Sequence, residues 1–287
     1  MLNVRRRIEV ISALVEQRTP ESATYAALEC RLAIEYLCYE RMKMALDLVS
    51  FADMGGWQPN KVIRALEEMV DEHIASSFTL SVAKEPVLPP GQELSLEERI
   101  QLDYKRVGTQ AQLDIKKLTK LWNALANSAL HVQVPKSRTD QLSIHGDVTR
   151  IIEKVEECLA EFRKVGDGTL LSNGFGPEVS ITCDGCGYTV RRRVERLTAK
   201  QIVSCVNPDC DESYTVEKVD VKDFTFERRL VCFKCDDCST GNNLPMRRVE
   251  KMRVSEVIDV MCSGCSCSYK IGAQLGVAKV RDARDDA

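Results

Sequence analysis

Two stretches decide how this chain is read: Ile181-Thr182-Cys183-Asp184-Gly185-Cys186 and, nearer the C-terminus, Phe233-Lys234-Cys235-Asp236-Asp237-Cys238. The first is followed by Arg192-Arg193-Val194-Glu195-Arg196-Leu197, the second by Arg247-Arg248-Val249-Glu250-Lys251-Met252. Each then continues into two more cysteines, Cys205 and Cys210 or Cys262 and Cys265, and into Ser213-Tyr214 or Ser268-Tyr269. Tyrosine follows the last cysteine of each set by four positions, which fixes the register of an internal repeat. The agreement reaches beyond cysteine, so coincidental spacing does not explain it.

Ten of the 13 cysteines lie between Cys183 and Cys267. The N-terminal stretch has Arg5, Arg6 and Arg7, but Glu9 and Glu16 interrupt the apolar run next to them, so no secretory signal is expected and a cytoplasmic location is. In that setting, cysteine pairs at two-residue spacing read as metal ligands rather than disulfides. Zinc is the expected metal: a structural site takes four thiolates at about 2.3 Å, and two such turns supply them. A segment of about 40 residues buries too little apolar surface to fold alone. Metal binding must then supply folding free energy, on the order of 10 kcal/mol per site.

Both segments resemble zinc ribbons, in which two cysteine knuckles are joined by antiparallel strands. The resemblance implies one structural Zn2+ held by Cys183, Cys186, Cys205 and Cys210 and a second held by Cys235, Cys238, Cys262 and Cys265. Cys232 and Cys267 compete for the second shell. On a strand, the arginine segment would place Arg192, Val194 and Arg196 on one face and Arg193, Glu195 and Leu197 on the other. Arg192, Arg193, Arg196, Arg247, Arg248 and Lys251 are thus candidates for contacting nucleic acid or an acidic partner. The competing reading is a solvated face that offsets thiolate charge. Tyr214 and Tyr269 are candidates for stacking on bases, or for a place in the strand core.

Residues 1–165 read as all helical. Thr19-Pro20-Glu21 is a helix start, and the helix after it, to about Phe51, is apolar nearly all round, as suits a buried central element. Gly55-Gly56 ends it, and 58–70 forms another. Residues 74–94, with Pro86, Pro89, Pro90 and Gly91, read as loop with a short extended piece near Phe78. Ser95 and Glu98 form a capping box opening a helix to about Val107, and a further helix covers 110–131. Val148, Ile151, Ile152, Val155, Cys158, Leu159, Phe162 and Val165 fall at three- and four-residue steps, an amphipathic helix that buries Cys158 in a core. The glycine-rich stretch 166–177 reads as a linker.

Asn123, Asn127 and His131 lie four residues apart, opposite the stripe of Leu118, Leu121, Trp122, Leu125 and Ala129. The segment Leu125-Ala126-Asn127-Ser128-Ala129-Leu130-His131, after a helix bearing Arg31 and Glu35, is similar to the HEPN helical superfamily. Members often carry Arg, a polar residue, three others, then His, and many cleave RNA without metal as dimers. Asn127 and His131 match; the Arg position is Ala126, which removes the cation that would stabilise phosphorane charge unless Arg31 supplies one. The resemblance implies a non-catalytic domain used for dimerisation or binding, or, as an alternative, a ribonuclease with His131 as general acid/base.

The composition is close to neutral, 40 basic against 43 acidic side chains, which argues against a strong duplex-DNA binder. No run is long and apolar enough to span a bilayer. Phosphate loops, nucleophile elbows and zinc-protease helices are absent. The expectation is an α+β chain in separate parts: a helical region over 1–165, a linker over 166–177, ribbons over 178–219 and 220–275, and a charged tail over 276–287. Its expected role is non-enzymatic, with RNA or single-stranded DNA, a partner protein, or a second copy through the helical region as partners.

Overall fold

The computed structural model describes residues 4–273 apart from 51–53, 55, 85–93, 133, 136, 140–141, 172–173, 219 and 221–222. Gly55, the turn residues Pro86, Pro89, Pro90 and Gly91, and the tail over 276–287 lie outside the described residues, whereas the second helix, expected to reach about Phe51, ends at Met44. Helices dominate the first part of the chain and small antiparallel sheets the second. The chain divides into two compact units, 1–177 and 178–287.

In the first unit, α1 (Val4–Gln17), α2 (Pro20–Met44), α3 (Pro59–Met69), α5 (Ile115–Ala129) and α6 (Val148–Gly166) enclose one core. α2 begins where expected: the Thr19 hydroxyl accepts from the Ser22 amide, and the Ser22 hydroxyl accepts from the Thr19 amide, both at 3.1 Å. Its buried face is lined by Ala23, Ala26, Ala27, Cys30 and Ala33, small residues that let α1, α5 and α6 approach closely, and by the larger Ile34. The helix is not buried all round, because Tyr25, Leu28, Leu32 and Tyr36 are exposed on its other side. The amphipathic α6 is as the periodicity predicts, with Asp147 as N-cap and Ile151, Val155, Cys158 and Phe162 fully buried.

The extended piece expected near Phe78 is a strand, but the helix expected from Ser95 to about Val107 fails beyond its first turns. The Ser95–Glu98 capping box forms, but α4 covers only Leu96–Gln101. Tyr104–Gln110 is instead β2, paired antiparallel with β1 (Phe78–Ala83) across a bulge between Leu80 and Ser81. Six residues without a buried side chain form too little helix to propagate, while β2 gains a full ladder and buries Gln110, whose amide donates to the Ile74 and Ser76 carbonyls. The expected linker is also engaged. The Thr169 and Leu170 amides both donate to the Thr109 carbonyl, and Phe175 meets Phe78 edge-on. Gly174, at φ +87°, lies where a Cβ would collide with the Asp71 carboxylate.

The second unit is a series of hairpins whose tips carry the cysteines. β3 (Glu178–Thr182) pairs with β4 (Thr189–Arg193), and β5 (Ile202–Ser204) with β6 (Ser213–Lys218). β7 (Phe224–Arg228) adds to β6. It therefore belongs with the first cysteine module, and a boundary at 220 separates strands that share a ladder. β8 (Leu230–Lys234) pairs with β9 (Gly241–Pro245), and β10 (Val257–Met261) with β11 (Ser268–Gly272). A short helix, α7 (Met246–Glu250), joins β9 to β10.

Candidate metal centres

Hairpin geometry brings the sulfurs together. In three of the four tips the first cysteine's amide donates to the carbonyl five residues on: Cys183 to Tyr188, Cys235 to Thr240, and Cys262 to Cys267, at 2.8–2.9 Å. The residue just after the second cysteine, Gly187, Ser239 or Ser266, has positive φ, which turns the chain back into the returning strand. The fourth tip departs from this because four residues separate Cys205 from Cys210; there the Cys205 amide donates to the Glu212 carbonyl.

Each pair of tips faces the other. In the first module Cys183 and Cys210 are 3.7 Å apart and Cys186 and Cys205 3.6 Å. In the second, Cys235–Cys265 and Cys238–Cys262 are both 3.6 Å. The ligand atoms in each tetrad lie within 4.8 Å of one another, so either could hold a metal ion. A tetrahedron with metal–sulfur bonds of about 2.3 Å has edges of about 3.8 Å, close to these separations. The donor set fits a thiophilic divalent cation.

Electrostatics point the same way. The Cys186 thiol is opposed by burial, yet the Tyr188 amide and neighbouring thiols bring it down to about 7. Burial and the adjacent sulfurs push Cys210 up to about 11, and Cys205 goes up as well. In the second module the Tyr269 hydroxyl holds Cys235 down to about 5, whereas Cys265, despite a hydrogen bond from the Cys267 amide, is raised by its sulfur neighbours. One thiolate forms readily and discourages the next, a conflict that a divalent cation removes.

The two tyrosines are structural. The Tyr214 hydroxyl accepts from the Asp184 amide at 2.9 Å and donates to the Asp184 carboxylate at 3.0 Å. The Tyr269 hydroxyl accepts from the Asp236 amide at 2.9 Å and donates to Cys235 Sγ at 3.1 Å. Each phenol thus ties the second hairpin of its module to the tip of the first. Base stacking is closed to Tyr214, which is 2% exposed, and Phe233 meets Tyr269 edge-on. The paired Asp and Tyr of the two copies were the visible sequence signal for this latch.

The basic residues do not form one stripe. Arg192, Arg193 and Arg247 are buried. Arg192 donates to the Ser204 carbonyl, and Arg193 pairs with Glu178 at 2.9 Å. β4 ends at Arg193 and the chain tightens into a 3₁₀ turn over Val194–Arg196, so strand alternation does not extend to Leu197. The matching residues Arg247 and Arg248 sit in α7 rather than in a strand. Arg248 and Lys251 are exposed, Arg196 is half-buried, and Lys251 pairs with Asp211.

In the helical unit, Asn127 is exposed on α5, but that helix ends at Ala129, so His131 lies beyond the face it was expected to share. Ala126, at the missing Arg position, is buried. The Arg31 guanidinium stacks 3.9 Å from the Trp122 ring centre, and Trp122 donates to Glu35 at 2.8 Å. No described helix is long and apolar enough to cross a membrane. No family model, curated protein or solved structure matches the chain.

Proposed function

We propose that this is a non-enzymatic zinc protein, in which two zinc ribbons are folded by metal and serve as a platform for a macromolecular partner. The observation that carries the zinc reading is the pair of cysteine tetrads at the facing tips of paired hairpins, with sulfur separations near those of a tetrahedral zinc–thiolate shell. Each ion would be structural, since four cysteines complete its shell and leave no position for substrate. Elemental analysis should find at least one zinc per module, and chelation should lower the melting temperature. A folded, zinc-free protein that chelators leave unchanged would overturn the proposal.

Of the expected partners, a protein is favoured over nucleic acid. Three of the six candidate cations are buried, Lys251 is paired, and the tyrosines are held in latches. Meanwhile Val257 and Met261, on one face of β10, are 51% and 74% exposed. Among the described residues β10 pairs only with β11, which leaves its other edge available to an added strand. Mobility-shift titration with single-stranded RNA at low salt separates the two: tight binding that is lost on reversing Arg248 and Lys251 would restore the nucleic-acid reading.

A further inference from the structure

The second module contains more ligands than one ion needs. Besides the tetrad of Cys235, Cys238, Cys262 and Cys265, a second group of four converges there: Cys235, Asp237, Cys265 and Cys267. The two groups share Cys235 and Cys265. Cys267 Sγ is 3.4 Å from Cys235 Sγ and 3.3 Å from Cys265 Sγ. It reaches them because Ser266, at φ +60°, turns the backbone so that Cys265 and Cys267 face the same side, while the Cys262 amide fixes the Cys267 carbonyl.

The first module supplies an internal control. Counting from the paired cysteines, Asp237 corresponds to Gly185 and Cys267 to Glu212. Those two positions also meet in the first module, where a Cβ on Gly185 would lie 2.6 Å from Glu212 Cγ. There, Glu212 is 2% exposed and clamped by both guanidinium nitrogens of Arg228 that face it, and its partner position has no side chain. The fold thus brings the same two sites together twice. In one copy they hold an ion pair and a glycine; in the other they hold a thiol and a carboxylate.

We propose that the second module binds a two-zinc cluster, with Cys235 and Cys265 as bridging thiolates, Cys238 and Cys262 terminal on one ion, and Asp237 and Cys267 terminal on the other. The inference rests on the zinc-ribbon reading above. Charge supports it: one ion with four thiolates carries a net −2, and adding a second dication with one thiolate and one carboxylate leaves that net charge unchanged. A thiolate at Cys267 with no second ion would instead add a further negative charge within 3.4 Å of two ligands.

Native mass spectrometry of the full chain, purified with zinc and then desalted, tests this. Three zinc ions per wild-type chain are expected, falling to two in Cys267→Ser and in Asp237→Asn, with circular dichroism confirming that both variants remain folded. Zinc X-ray absorption should show a metal–metal distance of about 3 Å in the wild type, from two tetrahedra sharing the Cys235–Cys265 edge, and lose it in Cys267→Ser. Two ions in the wild type, or three in both variants, would overturn the cluster while leaving the two-ribbon reading standing. Zero ions would sink both.

Discussion

The two cysteine modules share knuckles, a tyrosine latch and a tetrad, yet they are held together differently. The first has a third strand, β7, and a core of Val190, Leu197, Val203, Val206, Val216 and Phe224 beside its sulfurs. The second consists of two separate two-stranded hairpins, with Leu244 and Ile258 as its buried aliphatic side chains among the described residues. It has two cysteines more than the tetrad uses, Cys232 and Cys267. Where apolar burial is thin, sulfur is abundant. The difference teaches that a repeated motif can fix a sulfur geometry able to hold a metal while the apolar burial around it varies.

The sharpest way to break this comparison is to remove one ligand from each module. Cys205→Ser and Cys262→Ser should each abolish one metal site, a loss on the order of 10 kcal/mol of apparent binding free energy. Amide exchange should show residual protection in the β6–β7 ladder of the first variant and none in β8–β11 of the second. Equal loss in both would mean that the apolar cluster contributes nothing.

A smaller effect tests the ion pair that Glu212, at the position matching Cys267, makes in the first module. Arg228→Leu leaves the Glu212 carboxylate buried without its partner and should cost about 3 kcal/mol in denaturant unfolding. Arg229→Leu removes a pair with Glu250, a carboxylate about half exposed, and should cost under about 1 kcal/mol. Replacing Tyr214 by Phe should cost about 1 kcal/mol, because the Asp184 amide loses its acceptor at a partly buried hydrogen bond. Tyr269→Phe should cost less, since its site is partly solvated.

Acid should separate the cysteine modules from the helical unit. Protons compete with metal for thiolates, so the modules release metal as pH falls. In the helical unit the Glu161 carboxyl is opposed by burial but held below its ordinary range by Lys117 and Lys164. A depressed carboxylate stabilises the fold above its unfolded pKa, and that contribution is lost as pH falls through the folded one. Glu161→Gln should therefore flatten the acid limb of helical unfolding below about pH 4.3 and leave metal release unchanged.

Much of this was legible in the residues. Three Cys-x-x-Cys pairs were legible because ligand geometry is local: two residues and a turn suffice to aim two sulfurs. The wider Cys205–Cys210 pair and the grouping into tetrads came from the repeat and the zinc-ribbon resemblance. α6 was legible because one face of a long helix repeats its burial every turn. Of the β1–β2 hairpin only an extended piece near Phe78 was legible; β2 was not, because its stability comes from pairing residues far apart in the chain, and the capping box at Ser95 was a true signal for only a short helix. The arginine repeat misled for a related reason: the same four residues close a strand at Arg193 in one copy and lie in α7 in the other.

By itself, then, the sequence determined which sulfurs could act together on a metal, and that helices dominate the first part of the chain and cysteine-bearing strands the second. Only the tertiary structure decided that Arg192 and Arg193 point inward, that the tyrosines latch the knuckles, and that Asp237 meets Cys267 where Gly185 meets Glu212. Spacing along the chain fixes what neighbouring residues can do jointly. Which distant side chains share a site depends on how separate hairpins face each other.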